Sequence, residues 1–236
     1  MNRRALFTRV FPAAGALRVM AAAPAGAMAD EEGLALPAPD ARPVAKASLQ
    51  QALVRRRSVR SYAPQALPLA AVAQLLWAAQ GITASDGRRT APSAGALYPL
   101  ELHVAAARVA GLAPGLYRYV AASHRLRPTA HGDILPALAR AAFSQQAVAD
   151  AAAVVVIAAV EERTARKYGP RAGRYVAFEG GAASQNLALQ AAALGLGTVV
   201  VGAFDDDAVA RAARLAPGER PIALMPLGLP GPPLHR

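Results

Sequence analysis

Residues 153–194 read AVVVIAAVEERTARKYGPRAGRYVAFEGGAASQNLALQAAAL. Two patterns meet in this stretch. Residues 153–160 form an unbroken apolar run with the length of a fully buried strand. Beyond Gly169 and Pro170, residues 171–194 predict a helix of about 36 Å at 1.5 Å per residue. Five consecutive small residues, Gly180, Gly181, Ala182, Ala183 and Ser184, fall in the middle of that helix, where each glycine costs about 1 kcal/mol relative to alanine. Such a run implies close approach by a partner helix or a flat cofactor, or else follows from the alanine bias of the chain.

Working outward, Ser48 is placed as the N-cap of a helix ending at Arg57. Pro68 opens a second helix, in which Leu69, Val72, Leu76 and Ala79 share one face until Gly81. Residues 82–95 form a polar loop, and loops of that length inside a compact domain are usually functional. Strands are predicted over residues 100–107, 115–120 and 124–127, the last two as a hairpin, and again over 198–203 and 222–227. Helices and strands alternate irregularly and no repeat is visible, which points to an α+β layer fold and away from a doubly wound α/β fold.

Composition narrows the chemistry. The 236 residues include no cysteine, so a disulfide framework, a thiolate metal site and a thiol nucleophile are excluded, and electron chemistry falls to a bound cofactor. Hydrophobic residues make up 54% and charged residues 17%, against about 45–50% and 25% in typical domains, which excludes disorder for most of the chain. The net charge of +11 raises the question of a nucleic-acid partner. Only Lys46 and Lys167 are lysines, however, and the arginines are scattered through apolar sequence. No nucleic-acid partner is expected.

The leader is separable. Residues 1–29 combine the Arg3-Arg4 pair, an apolar stretch from Val10 and the A-x-A-like site Ala27-Met28-Ala29, the build of an export signal of twin-arginine type. Residues 30–47, rich in proline and alanine, are expected to be a linker, and the domain to occupy residues 48–236. The expected location is periplasmic or exported, and cytoplasmic if the leader is not functional. No run in the chain reaches the 18 or so apolar residues of a membrane span.

Two clusters carry chemistry. Arg55-Arg56-Arg57-Ser58-Val59-Arg60 gathers guanidinium forks and a hydroxyl at a helix end, suited to a phosphate dianion or simply to the carboxyl end of the helix dipole. Thr90-Ala91-Pro92-Ser93-Ala94-Gly95-Ala96-Leu97-Tyr98-Pro99 places small side chains between two prolines. Backbone amides and the Ser93 hydroxyl there are able to face a planar ligand, or the segment is an ordinary turn.

The blocks RRSVRSY, LLWAAQGIT, GRRTAPSAGALYPLEL, GLYRY, RKYGPRAGRYVAFEGGAASQNLALQAAALGLGTVVVGAFDD and MPLG occur in this order between Arg55 and Gly228. This arrangement resembles the FMN-dependent nitroreductase family, and in detail its SagB-type branch of thiazole/oxazole-forming dehydrogenases. The resemblance implies a nitroreductase-like mixed sheet flanked by helices and a homodimer with FMN at the subunit interface. It implies that Arg56, Arg57, Ser58 and Arg60 hold the FMN phosphate and ribityl chain. Pro92, Ser93, Ala94 and Ala96 would line the flavin from the partner chain, and the backbone of Gly202 and Ala203 would approach its ring.

The same resemblance makes Lys167 and Tyr168 the expected catalytic pair, because azoline dehydrogenases of that branch carry an adjacent Lys-Tyr here. Loss of a hydride to flavin N5 with loss of a neighbouring proton needs a general base, a role open to a desolvated lysine or tyrosine. From the residues alone, Lys167 is equally a solvated helix-end lysine. One position departs from the branch: Ala182 stands where E-x-G-H would place a histidine before Gln185-Asn186. The expected substrate is a small or peptide-derived molecule, with NAD(P)H as one electron source, although export would disfavour that donor. None of the four histidines has metal-ligand spacing, and no metal is expected. The alternative from another class is a flavin-binding module or maturation factor without turnover.

Overall fold

The computed structural model of the chain describes residues 33–40 and 47–232. The expected leader lies outside them. Nine strands and seven α-helices are described: β1 Leu34–Ala35, α1 Leu49–Arg55, β2 Leu67–Pro68, α2 Leu69–Gln80, β3 Leu100–Ala106, β4 Val109–Ala110, β5 Gly115–Val120, β6 Arg125–His131, α3 Leu135–Ala141, α4 Gln146–Ala149, β7 Ala153–Val160, α5 Glu161–Tyr168, α6 Ala172–Ala193, β8 Gly197–Thr198, α7 Asp206–Ala212 and β9 Glu219–Gly228. Seven strands form one sheet in the order β1-β6-β5-β3-β7-β9-β8, and β2 and β4 form a separate pair. Every ladder of the large sheet is antiparallel, whereas β2 and β4 run parallel. The class is the expected α+β.

The apolar run becomes the central strand. β7 lies between β3 and β9 and is covered on both faces. Ala153, Val155, Ile157 and Ala159 join a core with α2 and α6, through Val72, Leu76, Ala183 and Leu187. Val154 and Val156 point the other way, toward Leu135 and Leu138 of α3, Val148 of α4 and Val209 of α7. Burial on both faces removes any reason for polar alternation, and full burial of each such side chain is worth about 1.5–3 kcal/mol.

Local signals set the helix ends. Ser48 caps α1 in a complete capping box with Gln51. The helix stops at Arg55, two residues short of expectation, because Arg57 Nη1 donates to the carbonyls of Val54 and Arg56, both at 2.8 Å, and satisfies acceptors the helix leaves open. Gly81 ends α2, as expected.

Three expectations are corrected. Residues 33–36 are not linker: Leu34 and Ala35 pair with Leu126 and Arg125, Leu36 is buried, and Arg125 donates twice to the Gly33 carbonyl. Two paired residues are too few to show periodicity. Second, the strand expected over 198–203 is interrupted after Thr198. Thr198 pairs with Leu227 and Val201 bridges Leu224 in the same register, so of the two pairs missing between them the hydrogen-bonded one would join Val199 to Pro226. Leu224 directs its N–H to Val201. Residue 226, two further on, would direct its own to the same side, and proline has none. Third, the close approach at the small-residue run comes from neither a partner helix nor a cofactor at Gly180: a Cβ there would lie 2.7 Å from Ile222 Cγ2 of β9. Gly181 faces outward, with nothing within 4 Å of such an atom.

Candidate functional site

The arginine cluster faces a cavity of about 510 Å³ between the end of α1 and the carboxyl end of α6. Arg55, Arg56, Arg57 and Thr198 line it, with Ala192, Leu194 and Gly195 opposite and no acidic residue among the described residues of the lining. Backbone pairing fixes the arrangement: Ser58 bridges Thr198 in parallel, and Val59 N–H donates to the Thr198 carbonyl at 2.9 Å. The Thr198 hydroxyl is buried without a hydrogen-bond partner among the described residues, which costs about 1–3 kcal/mol unless a ligand or water supplies one. Gly202 and Ala203 follow on the same segment, both exposed. A Cβ at Gly202 would meet nothing within 4 Å, so this backbone is open to a flat molecule.

The second cluster gathers elsewhere in the chain. Residues 92–98 form a tight loop in which Gly95, Ala96 and Tyr98 take left-handed backbone angles, with φ of 63°, 55° and 46°. The two non-glycine residues cost about 1–2 kcal/mol each, and the surroundings hold them there. Ser93 Oγ accepts from Tyr98 N–H at 2.8 Å, Arg163 Nη1 of α5 donates to the Tyr98 carbonyl at 3.0 Å, and Asn186 Nδ2 of α6 donates to the Thr90 carbonyl at 3.2 Å. Glu179 of α6 accepts from Ala94 N–H at 2.9 Å. Burial raises the Glu179 carboxyl above its ordinary range, against the lowering effect of hydrogen bonds from Ala94 and Ser93.

Lys167 and Tyr168 meet this loop. A Cβ on Gly95 would lie 3.0 Å from Lys167 Nζ and 3.1 Å from the Tyr168 hydroxyl. Tyr168 also packs on Tyr175 with ring centroids 4.7 Å apart. Lys167 is exposed in the single chain, so any desolvation of its ammonium must come from a ligand or a partner subunit. Ala182, at the position of the branch histidine, packs against the core.

The structure brings Pro92, Ser93, Ala94 and Ala96 together with Lys167 and Tyr168 in one region, and Arg56, Arg57 and Ser58 together beside Thr198 in another, with Gly202 and Ala203 further along the Thr198 segment. The sequence reading assigns all of them to one flavin site. Arg60 is exposed and does not line the arginine cavity. Sequence reasoning missed Glu179, Asn186 and Arg163 as fasteners of the loop. For Glu179 a signal was present: it is an acid between Val176 and Ala183 on the buried face of α6, where an unpaired carboxylate is costly.

Comparison with known proteins places this architecture. The nitroreductase family model matches residues 53–229. An archaeal protein of Methanocaldococcus jannaschii with a provisional nitroreductase name is 43% identical over 180 residues, 76% of this chain and 90% of that protein. A crystal structure from Ralstonia eutropha, also provisionally named a nitroreductase, superposes with a TM-score of 0.73 at 29% identity, covering 85% of this chain and 90% of that one. One from Anabaena variabilis gives 0.70 at 29% identity and covers 78% of this chain, which spans only 38% of that longer protein. The chain belongs to the nitroreductase family, a family of oxidoreductases, and has its fold.

Proposed function

We propose that the chain is an FMN-dependent oxidoreductase, working as a homodimer and related to the SagB-type dehydrogenases. The arginine cavity carries this reading: guanidinium groups and an unpartnered buried hydroxyl, with no lining carboxylate, fit a phosphate monoester. Arg56, Arg57 and Ser58 would hold the FMN phosphate and ribityl chain, with Arg60 contributing positive charge nearby. The exposed backbone of Gly202 and Ala203 would lie along the ring. Bound there, FMN supplies hydride acceptance and return at N5.

The chain's own residues do the rest. The loop of Pro92, Ser93, Ala94 and Ala96 would cover the flavin bound to the partner subunit, held rigid by Glu179, Asn186 and Arg163. Lys167 and Tyr168, both reaching Gly95, would take the substrate proton, with the partner subunit and the substrate excluding water from Lys167. Residues 1–29 would direct export of the folded, loaded protein.

The direction of electron flow is tested by anaerobic addition of NADPH or NADH to the yellow protein. Bleaching of the oxidised-flavin band within seconds supports a reductase fed by nicotinamide. A band that persists supports a dehydrogenase that draws electrons from an organic substrate. A protein that remains colourless after incubation with FMN contradicts the whole reading.

A further inference from the structure

We propose that a second cavity, between the start of β3, the end of β5 and Arg89, is an anion-binding site that takes a carboxylate or phosphate group of the redox substrate. This cavity, about 310 Å³, shares no lining residue with the arginine cavity described above. Its polar lining is Gln80, Arg89, Glu101, Arg118, Tyr119 and Arg127.

Among the described residues that line it, three arginines face one carboxylate, that of Glu101. Arg118 and Arg127 are directly opposite one another in the β5–β6 ladder, a placement of like charges that destabilises a sheet. The nearby carboxylates are already engaged. Glu101 pairs with Arg163 at 2.6 Å and Arg118 at 3.0 Å, and Glu219 lies 2.9 Å from His103 Nε2 and 3.6 Å from Arg118. Among the described residues, Arg89 and Arg127 have no carboxylate within salt-bridge distance.

Arg89 is the sharper case. Its Nη1 donates to Gln80 Oε1 at 3.0 Å and its guanidinium lies 4.7 Å from the centroid of the Tyr98 ring, but its Nε is buried with no partner among the described residues. Burial pushes its pKa below the ordinary arginine range, with the Glu101 charge acting in opposition. A half-buried guanidinium whose Nε has no partner among the described residues is costly, and an entering anion offsets that cost. Guanidinium forks suit the planar geometry of a carboxylate and the oxygens of a phosphate alike.

The location gives the anion a use. Arg89 stacks on Tyr98 of the strained loop, and Arg163 ties the Tyr98 carbonyl to Glu101 of the cavity wall. An anion held here would therefore anchor one end of a molecule whose other end reaches the loop near Lys167 and Tyr168. That last step rests on the flavin reading, whereas the anion site itself does not.

The test is calorimetric titration of the full chain, in saturating FMN, with inorganic pyrophosphate and separately with succinate. We expect about one anion bound per chain, at least fivefold more weakly in Arg127→Gln and in Arg89→Gln. Preference for pyrophosphate identifies a phosphate-bearing partner, and preference for succinate a carboxylate. If Arg89→Gln does not fold, as judged by circular dichroism, Arg127→Gln decides alone. Absence of binding by the native chain, or a loss smaller than fivefold in Arg127→Gln, overturns the site. Flavin absorbance of the same samples separates the two readings: flavin retained without anion binding defeats only this one.

Discussion

Glu179 and Ala94 are 85 positions apart in sequence, yet the carboxylate of one accepts the backbone N–H of the other at 2.9 Å. This contact joins the long helix to the strained loop that Lys167 and Tyr168 approach. Glu179→Ala leaves the Ala94 N–H unpaired and should destabilise the chain by about 1–3 kcal/mol. Glu179→Gln keeps an acceptor and removes the charge. Because burial raises the native carboxyl, Glu179 destabilises the fold as pH rises from the ordinary glutamate value of about 4.3 through the raised one. The glutamine variant should therefore match the native chain below about pH 4 and equal or exceed it at pH 7. Urea unfolding at the two pH values checks this.

Gly180 and Gly181 are predicted to respond oppositely. Gly180→Ala forces a Cβ against Ile222 and should cost about 1–3 kcal/mol, with partial recovery in the double variant with Ile222→Ala. Gly181→Ala meets open space and should stabilise the helix by up to about 1 kcal/mol. Thermal unfolding of the three variants measures both effects.

Glu219 is nearly inaccessible and serves His103 and Arg118 together. Burial works to raise its carboxyl, but the His103 and Ala216 hydrogen bonds and the Arg118 charge prevail and hold it below the ordinary value. Its stabilisation is thus present above about pH 4.3 and is lost as pH falls through its lowered pKa. Glu219→Gln should cost about 3 kcal/mol at pH 7 and progressively less toward pH 2, a trend readable from denaturation midpoints.

Phe178 is 66% exposed on α6, beside outward-facing Ala177 and Gly181. An aromatic ring left on a face of small residues fits a two-fold contact, in which each substitution acts twice. In the proposed homodimer, Phe178→Glu should weaken association at least tenfold, with the monomer fold retained, as read by analytical ultracentrifugation and circular dichroism. An unchanged dimer would place the interface elsewhere.

Much of the fold is legible in the sequence. The 153–160 run, the Ser48 cap and the Gly81 stop are local signals, and each element formed near its expected place. The arginine cluster was legible because residue identity alone carries its charge. What escaped was long-range. Leu34 and Ala35 enter the sheet only because β6 offers an edge, and the break after Thr198 is caused by Pro226, on another strand. Gly180 reports Ile222 for the same reason. The fasteners Glu179, Asn186 and Arg163 act on backbone 65 to 96 residues away, and no local pattern encodes their partners.

The proposed function turns on the cavity at Arg55, Arg56 and Arg57 holding the phosphate of FMN. The most direct measurement is equilibrium titration of FMN into flavin-free protein and into Arg56→Ala, followed by flavin fluorescence. One FMN per chain is expected in the native protein, with binding about ten- to a hundredfold weaker in Arg56→Ala, as loss of a charge-assisted hydrogen bond of about 1.5–3 kcal/mol requires. Absence of FMN binding by the native chain, or equal affinity in the two proteins, would contradict it.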